Sequence, residues 1–540
     1  MKQGFRQSMA WLHTWSGLLV SWVLLLIFMA GTASYFRNEI SQWMRPELPR
    51  AQPSTDVVAA RAVALLQREA PRSPQWFVSL ANPRAPFTDL FWRNPPPADG
   101  TRPSRKELFG NALLDPVSGE ASQTRETRGG DFFYRLHFDL HYIPALWARY
   151  IVGFCAMFML VAIISGVITH KKIFKDFFTF RPAKGQRSWL DFHNASAVLA
   201  LPYHAMITYT GLVTLMLMYL PWGIQTAYPD AEQAFYAEAF QEPQNLREAS
   251  GTPGHMLPIA QLLDVARREW GAQAPIAGFS VYNAGDAAAA IQIRQGDGQR
   301  LGYSTPSLLL DAASGQILGR SGELAAAAET RSTLYGLHLA HFAGPWLRWL
   351  FFGCGLLGCL MVASGAILWA VKERPKHAKA GRIGLGLRLV DALNIGTVAG
   401  LPIAFAAYFW GNRLLPLHLE SRPESEAAVF FLAWAAALVA AQVWPKRAMW
   451  AWQLYAGAAL FGLLPLLNAV TTDAHLGVSL LAGDWALAGF DLVCLFLGIA
   501  LALAARRMQR WQPPLSAAER RARDRDRGGS GKPVLATEGA

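Results

Sequence analysis

Residues 134–154 read YRLHFDLHYIPALWARYIVGF, and residues 335–354 read YGLHLAHFAGPWLRWLFFGC. Each stretch carries a tyrosine, a pair of histidines, a proline and then an apolar run, with one residue fewer between the histidines in the second copy. The runs that follow, near 146–169 and 346–370, are long enough to cross a hydrocarbon core of roughly 30 Å as helices of about 20 residues. Each also contains a Ser-Gly step, Ser165-Gly166 and Ser364-Gly365. Two related entries into a membrane point to a chain built by repetition.

Six further apolar runs, near 12–36, 191–220, 389–410, 427–444, 449–470 and 485–505, bring the expected total to eight transmembrane helices. With 52% hydrophobic and 16% charged residues, composition argues for a membrane protein over an ordinary soluble globular one, and the 20 tryptophans suit many helix ends at lipid interfaces. The first run follows MKQGFRQ and continues into SYFRNEI, which reads as a retained span rather than a cleaved signal peptide. Segments 1–11, 170–189, 371–388, 445–448 and 506–540 hold 25 of the 50 basic residues in 88 positions, so they are expected to be cytoplasmic. The connections 37–145 and 221–345 then lie outside. On this reading the net charge of +12 is mainly a topology signal and not a nucleic-acid footprint. The Arg-rich end RRARDRDRGGSGK reads as a solvated, disordered tail.

The two outer connections also match each other. ALLDPVSGEAS from Ala112 aligns with LLLDAASGQIL from Leu308 at an offset of 196, and each is preceded by an amphipathic helix pattern, VVAARAVALLQREA or IAQLLDVARREW. A helix followed by a small antiparallel sheet, with a D-x-x-S-G turn before the last strand, is the expected form of each module. A third pair, WLDFHNASAVLALPYHAMITYTG from Trp189 and LVDALNIGTVAGLPIAFAAYFWG from Leu389, keeps Asp191/Asp391, Asn194/Asn394 and Pro202/Pro402 at an offset of 200 but replaces His193 and His204 by Leu393 and Ala404. The joint loss of two histidines fits a prosthetic-group system that only one copy builds, and drift in a redundant copy would look the same.

The histidines carry the chemistry. His13, His193, His204 and His170 lie in spans or at their cytoplasmic ends, and His137, His141, His338 and His341 lead into spans from outside. Ionisable groups in a span are costly, so each is a functional candidate. On a continuous helix His193 and His204 share a face and differ in height by about 16 Å, which presents ligands at two depths. His13 starts the first span level with His193, and an imidazole pair on facing helices can hold a b-type haem without covalent attachment. His137 with His141 (i, i+4) and His338 with His341 (i, i+3) are each expected on one helix face, able to ligate an outer haem or bind a metal directly. His170 suits a helix C-terminus as well as it suits ligation. His255, His377, His418 and His475 are read as having no special role, and Tyr203 and Arg149 as packing, anchoring or haem-propionate contacts.

Other chemistries lack support. Cys155, Cys354, Cys359 and Cys494 sit in apolar runs with no CxxC, and GRIGLGLRLV follows a basic loop rather than a strand. No HExxH, GxSxG or phosphate-binding loop is present. Without a flavin or nicotinamide module, electrons would come from quinol or a separate donor.

The opening R-x-x-x-x-W-L-H-T-W-S-G-L-L, the L-H-x-x-L-H and L-H-x-x-H entries and the paired D-x-x-S-G modules resemble the PepSY-associated transmembrane family of bacterial inner membranes, which includes iron-regulated proteins and ferric-siderophore reductases containing b-type haem. The resemblance covers residues from about 5 to 372 and leaves four later spans as an extension. It implies an α-helical integral membrane protein of about eight transmembrane helices with two small α+β PepSY-like periplasmic modules, at 37–145 and 221–345. The remaining parts are spans at 1–36, 146–220 (two) and 346–370, a loop at 371–388, the four-helix extension at 389–505 and the tail at 506–540. Both termini are expected in the cytoplasm.

Taken with the residues, the resemblance suggests an electron conduit with two haem b groups. His13 and His193 would form the inner ligand set, with His170 in reserve. His204 would combine with one or more of His137, His141, His338 and His341 further out, and ferric siderophore would be reduced at the outer face. No single catalytic residue stands out. The alternative is a haem-free metal or siderophore permease component whose histidines handle metal or protons.

Overall fold

In the computed structural model, residues 4–49, 53–95, 97, 103–170, 181, 184–240, 246–296 and 300–510 are described, without the side chains of Arg105 and Lys106. Segment 171–180 and the end of the tail, 511–540, lie outside the described residues. Among the described residues, seven helices are long and apolar enough to cross a membrane: Phe5–Ser34, Ala145–Thr169, Pro345–Lys379, Leu385–Leu414, Arg422–Val443, Arg447–Thr471 and Trp485–Arg510. An eighth span is the broken pair Gln186–Leu199 and Leu201–Thr214, bent by 68°. The chain is an integral membrane protein with a small antiparallel sheet region at one end of the bundle.

The broken third span corrects the straight-helix expectation for His193 and His204. Pro202 has no N–H to offer Val198, and its ring crowds that carbonyl, so the helix stops at Ala200 (φ −113°, ψ 23°) and restarts with Pro202 in its first turn. The repeat copy solves the same problem differently. Before Pro402 the helix widens into a π-helical segment, Ile395–Ala399, and runs on to Leu414. One aligned proline thus gives a sharp bend in the copy that bears histidines and a through-going helix in the copy that lacks them.

The two D-x-x-S-G modules are not separate sheets. Strands β1 (Gln75–Ser79), β2 (Thr88–Arg93) and β3 (Phe109–Leu114) of the first half join β4 (Ile276–Tyr282), β5 (Ala290–Gln295), β6 (Ser307–Asp311) and β7 (Ile317–Ser321) of the second. They form a single antiparallel sheet of order β3-β2-β1-β4-β5-β6-β7. The seam is β1 against β4, with Phe77 opposite Ser280. Pairing these edges removes two exposed strand edges that each half would present alone. The helices Thr55–Glu69 and Ile259–Trp270 bury Leu66, Leu262 and Leu263 with Trp76, Val78, Phe279 and Ile291 in one shared core.

In the turns, Asp115 Oδ1 accepts from the Val117 and Ser118 amides and Asp311 Oδ1 from those of Ala313 and Ser314, before Gly119 and Gly315 at positive φ. Only the second half follows its turn with a full strand. In the first half the expected last strand shrinks to an isolated bridge, Leu114 to Ala121.

The extension docks on this frame through buried polar groups. Arg422 and Glu426 form a fully buried ion pair. Asn412 Nδ2 donates to Glu426 (2.8 Å) and Thr127 Oγ1 to its other oxygen (2.5 Å). The Arg413 guanidinium lies 3.7 Å over the Trp43 ring, and Trp43 Nε1 donates to Asp491 (2.9 Å). Spans five, six and eight are thereby fixed to the short helix Arg37–Trp43 and to the 125–130 segment.

Candidate functional site

The four histidines His13, His193, His137 and His338 are brought together as two facing pairs. The His13 and His193 ring centroids are 6.2 Å apart and those of His137 and His338 6.0 Å apart, with interplanar angles of 65° and 32°. Two imidazoles bound to opposite sides of one metal ion at about 2 Å each place their centroids about 6 Å apart.

Each ring rests in the same kind of seat on a neighbouring span. His13 Nδ1 donates to the Ala162 carbonyl (2.8 Å), and its ring covers Gly166, where a Cβ would stand 3.0 Å from Cε1. His193 Nδ1 reaches the Met361 carbonyl (3.0 Å) and Ser364 Oγ (3.1 Å) and covers Gly365. His137 Nδ1 donates to the Ile27 carbonyl (2.7 Å) and covers Gly31, where a Cβ would stand 2.7 Å from the ring. His338 Nδ1 donates to Thr210 Oγ1 (3.1 Å), beside the Ile207 carbonyl, and covers Gly211. In every case the carbonyl lies four residues before the glycine, one helical turn back. Glycine leaves the backbone bare, so the imidazole can reach a carbonyl already bonded within its helix.

These seats fix the tautomer. A carbonyl only accepts, and the Ser364 and Thr210 hydroxyls already spend their protons on the Met361 and Met206 carbonyls, so all four Nδ1 atoms carry the hydrogen. The bare Nε2 lone pairs are left as ligands, the arrangement in which metal-bound histidine usually donates its other nitrogen to a backbone carbonyl. At the sheet-side pair, burial, helped by neighbouring His137, pushes His338 down to about 3, and burial lowers His137, so both stay neutral near pH 7.

The sheet-side pair and its seat glycines Gly31 and Gly211 line a cavity of about 1250 Å³ that runs from within the bundle to the sheet. His13 and Gly31 are 18 residues apart on the first helix, about 27 Å along its axis, so the two pairs lie toward opposite ends of that helix.

The remaining candidates fall elsewhere. His204 is fully buried between the two levels and takes a seat of the same kind with its ring reversed. Its Nε2 lies 3.3 Å from the Cys354 carbonyl, four residues before Gly358, and its Nδ1 has no hydrogen-bond partner. His204 contacts the rings of Phe28 and Tyr203, not another imidazole among the ring contacts of described residues. His141 and His341 do not share a helix face with His137 and His338. The helices end at Asp139 and Leu339, and Leu140 (φ 49°) and Ala340 (φ 54°) turn the chain left-handed before the second histidine. His141 packs against Phe132 and Phe431, whereas His341 faces Tyr303 and lines the cavity. His170 caps the second span within electrostatic range of His193.

The model of the PepSY-associated TM region matches residues 10–372, more than half of the chain and the range that holds both pairs, all four seats and the cavity. The chain belongs to the PepSY-associated TM family. An uncharacterized protein of Pseudomonas aeruginosa is 28% identical to this chain over 377 residues, covering 65% of this chain and 89% of its own length. Within the family range, the sequence reading missed Gly31 and Gly211 as seats. It had noted Gly166 and Gly365 only as Ser-Gly steps. A glycine in an apolar span four residues after a carbonyl that a distant histidine meets is a pairwise signal, which one segment read alone does not carry.

Proposed function

We propose that this PepSY-associated TM protein is an electron conduit with two b-type haems that reduces ferric siderophore iron on the sheet side of the membrane. The observation that carries the reading is the pair of bis-imidazole gaps, 6.2 and 6.0 Å between centroids, each with both Nε2 atoms in the ligating tautomer. The donor set fits the group: neutral imidazoles on facing helices, second nitrogens anchored, and glycines leaving room at every ring. A b-type haem at each pair would supply one-electron carriage between the two depths.

The chain's own residues hold the imidazoles, fix their proton on Nδ1 and set the sheet-side pair in a cavity that extends to the sheet, where a chelate could approach it. One electron per iron is needed, drawn from quinol or a separate donor at the opposite end. Hard oxygen donors hold Fe(II) less well than Fe(III), so reduction suffices to release the metal. The basic segments favour an inner-membrane orientation with both termini in the cytoplasm and the sheet in the periplasm. The test is anaerobic mixing of the dithionite-reduced protein with a ferric siderophore and an Fe(II) indicator. Reoxidation in step with Fe(II) appearance is expected, and a reduced spectrum unchanged by the siderophore would refute the activity.

A further inference from the structure

Six arginines line the cavity, Arg37, Arg45, Arg84, Arg135, Arg149 and Arg348, against two aspartates, Asp89 and Asp131. Two further carboxylates sit behind this wall. Glu39 bonds Arg348 (2.6 Å) and lies 3.5 Å from Arg84, and Asp139 bonds Arg149 (2.9 Å) and lies 3.7 Å from Arg135. Six guanidinium groups thus face four carboxylates, a surplus of two positive charges around one partly open cavity.

The surplus concentrates where the two halves of the chain meet. Arg84 sits on a tight turn whose Arg84 and Ala85 amides both bond Asn82 Oδ1, and Gln42 holds the Arg84 carbonyl (2.7 Å). Its buried Nε makes no hydrogen bond and has only the 3.5 Å approach to Glu39 Oε1, whose other oxygen, Oε2, is unmatched. Burial, and behind it Arg348 and Arg37, disfavours the charged form of Arg84 against the opposing pull of Glu39. Two largely buried guanidiniums that share the single carboxylate of Glu39 are under-compensated, and a further anion would complete the site. Below them, Thr208 Oγ1 is a further buried atom of the wall without a partner.

We infer that this cavity binds an anionic, carboxylate-bearing metal chelate, held by Arg37, Arg84 and Arg348 on the sheet side of the His137–His338 pair. The inference rests on the proposed function for the metal in the chelate and deepens it by naming the substrate's charge class. Bidentate guanidinium–carboxylate contacts give the recognition, and the partly buried arginines make them stronger than in open water. A cationic chelate meets repulsion in the same place, so the cavity selects by sign as well as by size.

Redox-inert gallium(III) complexes test binding without electron transfer. The full-length protein in lipid nanodiscs would be titrated with gallium(III) citrate, which is anionic, and with the cationic gallium(III) complex of desferrioxamine B, following tryptophan fluorescence and recording haem content in the same samples. The expected result is binding of the citrate complex that weakens with salt and drops about tenfold in Arg84→Gln and in Arg37→Gln, with partial retention in Arg84→Lys and weaker binding of the cationic complex. Equal binding of both complexes, or affinity unchanged in all three variants, would overturn the inference. It also fails if the arginine variants lower haem content and the citrate complex does not bind wild type, because the arginines would then serve the prosthetic group. Arginine-dependent binding to a haem-free wild-type protein would keep the anion site and sink the electron-transfer reading.

Discussion

His137 Nδ1 donates to the Ile27 carbonyl oxygen at 2.7 Å, across from the one residue, Gly31, whose missing side chain makes the approach possible. The contact ties the sheet-side pair to the first span, which also carries His13, so one helix organises both pairs. Gly31→Ala would place a Cβ 2.7 Å from the His137 ring and push it off its seat. The expected outcome is loss of the sheet-side low-spin haem signal with the His13–His193 signal intact, read by electron paramagnetic resonance of the oxidised protein. Two unchanged signals would show that the seat does not position the ligand.

His204 separates ligation from burial. Its Nε2 is engaged by the Cys354 carbonyl, and no imidazole faces it among the described ring contacts. His204→Phe, which preserves the packing against Phe28, is expected to retain both haems in full by pyridine haemochrome assay. Loss of one haem would restore His204 to the ligand set that the sequence suggested.

The buried Arg422–Glu426 pair should hold the extension to the family core. Glu426→Gln keeps the hydrogen bond from Asn412 but leaves the Arg422 charge uncompensated in a fully buried position. Breaking such a pair costs about 3–5 kcal/mol. A lower melting temperature and faster proteolysis near 415–421 are expected. Melting equal to that of wild type would mean that water or a neighbouring carboxylate compensates the charge.

Acid should loosen one corner of the sheet module. Asp286 accepts hydrogen bonds from the Ala288, Ser250 and Gly251 amides and from Ser250 Oγ, which lower it to about 2 from a usual 3.8. The folded form binds its proton less readily than the unfolded one. This contribution is therefore fully present above pH 3.8 and is lost as pH falls through about 2. Amide exchange at 250–254, compared between pH 5 and pH 2 in wild type and Asp286→Asn, should show an acid-induced rise only in wild type. A rise of equal size in both would place the acid sensitivity elsewhere.

The spans were legible because apolar runs of bilayer length have few alternative readings, and the eight expected segments match the seven helices and one bent pair to within several residues at their ends. The level of His13 with His193 was legible from their positions at the starts of two spans. The partner of His137 was not. Leu140 and Ala340 adopt the left-handed conformation without being glycine, so nothing local announced that the helices stop before His141 and His341. The seam between β1 and β4 joins segments some two hundred residues apart, and edge pairing of that kind leaves no pattern in either strand. The arginine wall was likewise hidden, because Arg37, Arg84 and Arg348 meet only once both halves of the sheet roof the bundle.

The most direct test is the reduced-minus-oxidised visible spectrum and haem-to-protein ratio of the purified wild type beside His13→Ala, His193→Ala, His137→Ala and His338→Ala. The account predicts a low-spin b-type spectrum with two haems per chain, one lost or turned high-spin by either substitution in a pair and the other untouched. A colourless protein that takes up no haem, or a full bis-imidazole spectrum surviving all four substitutions, would contradict it.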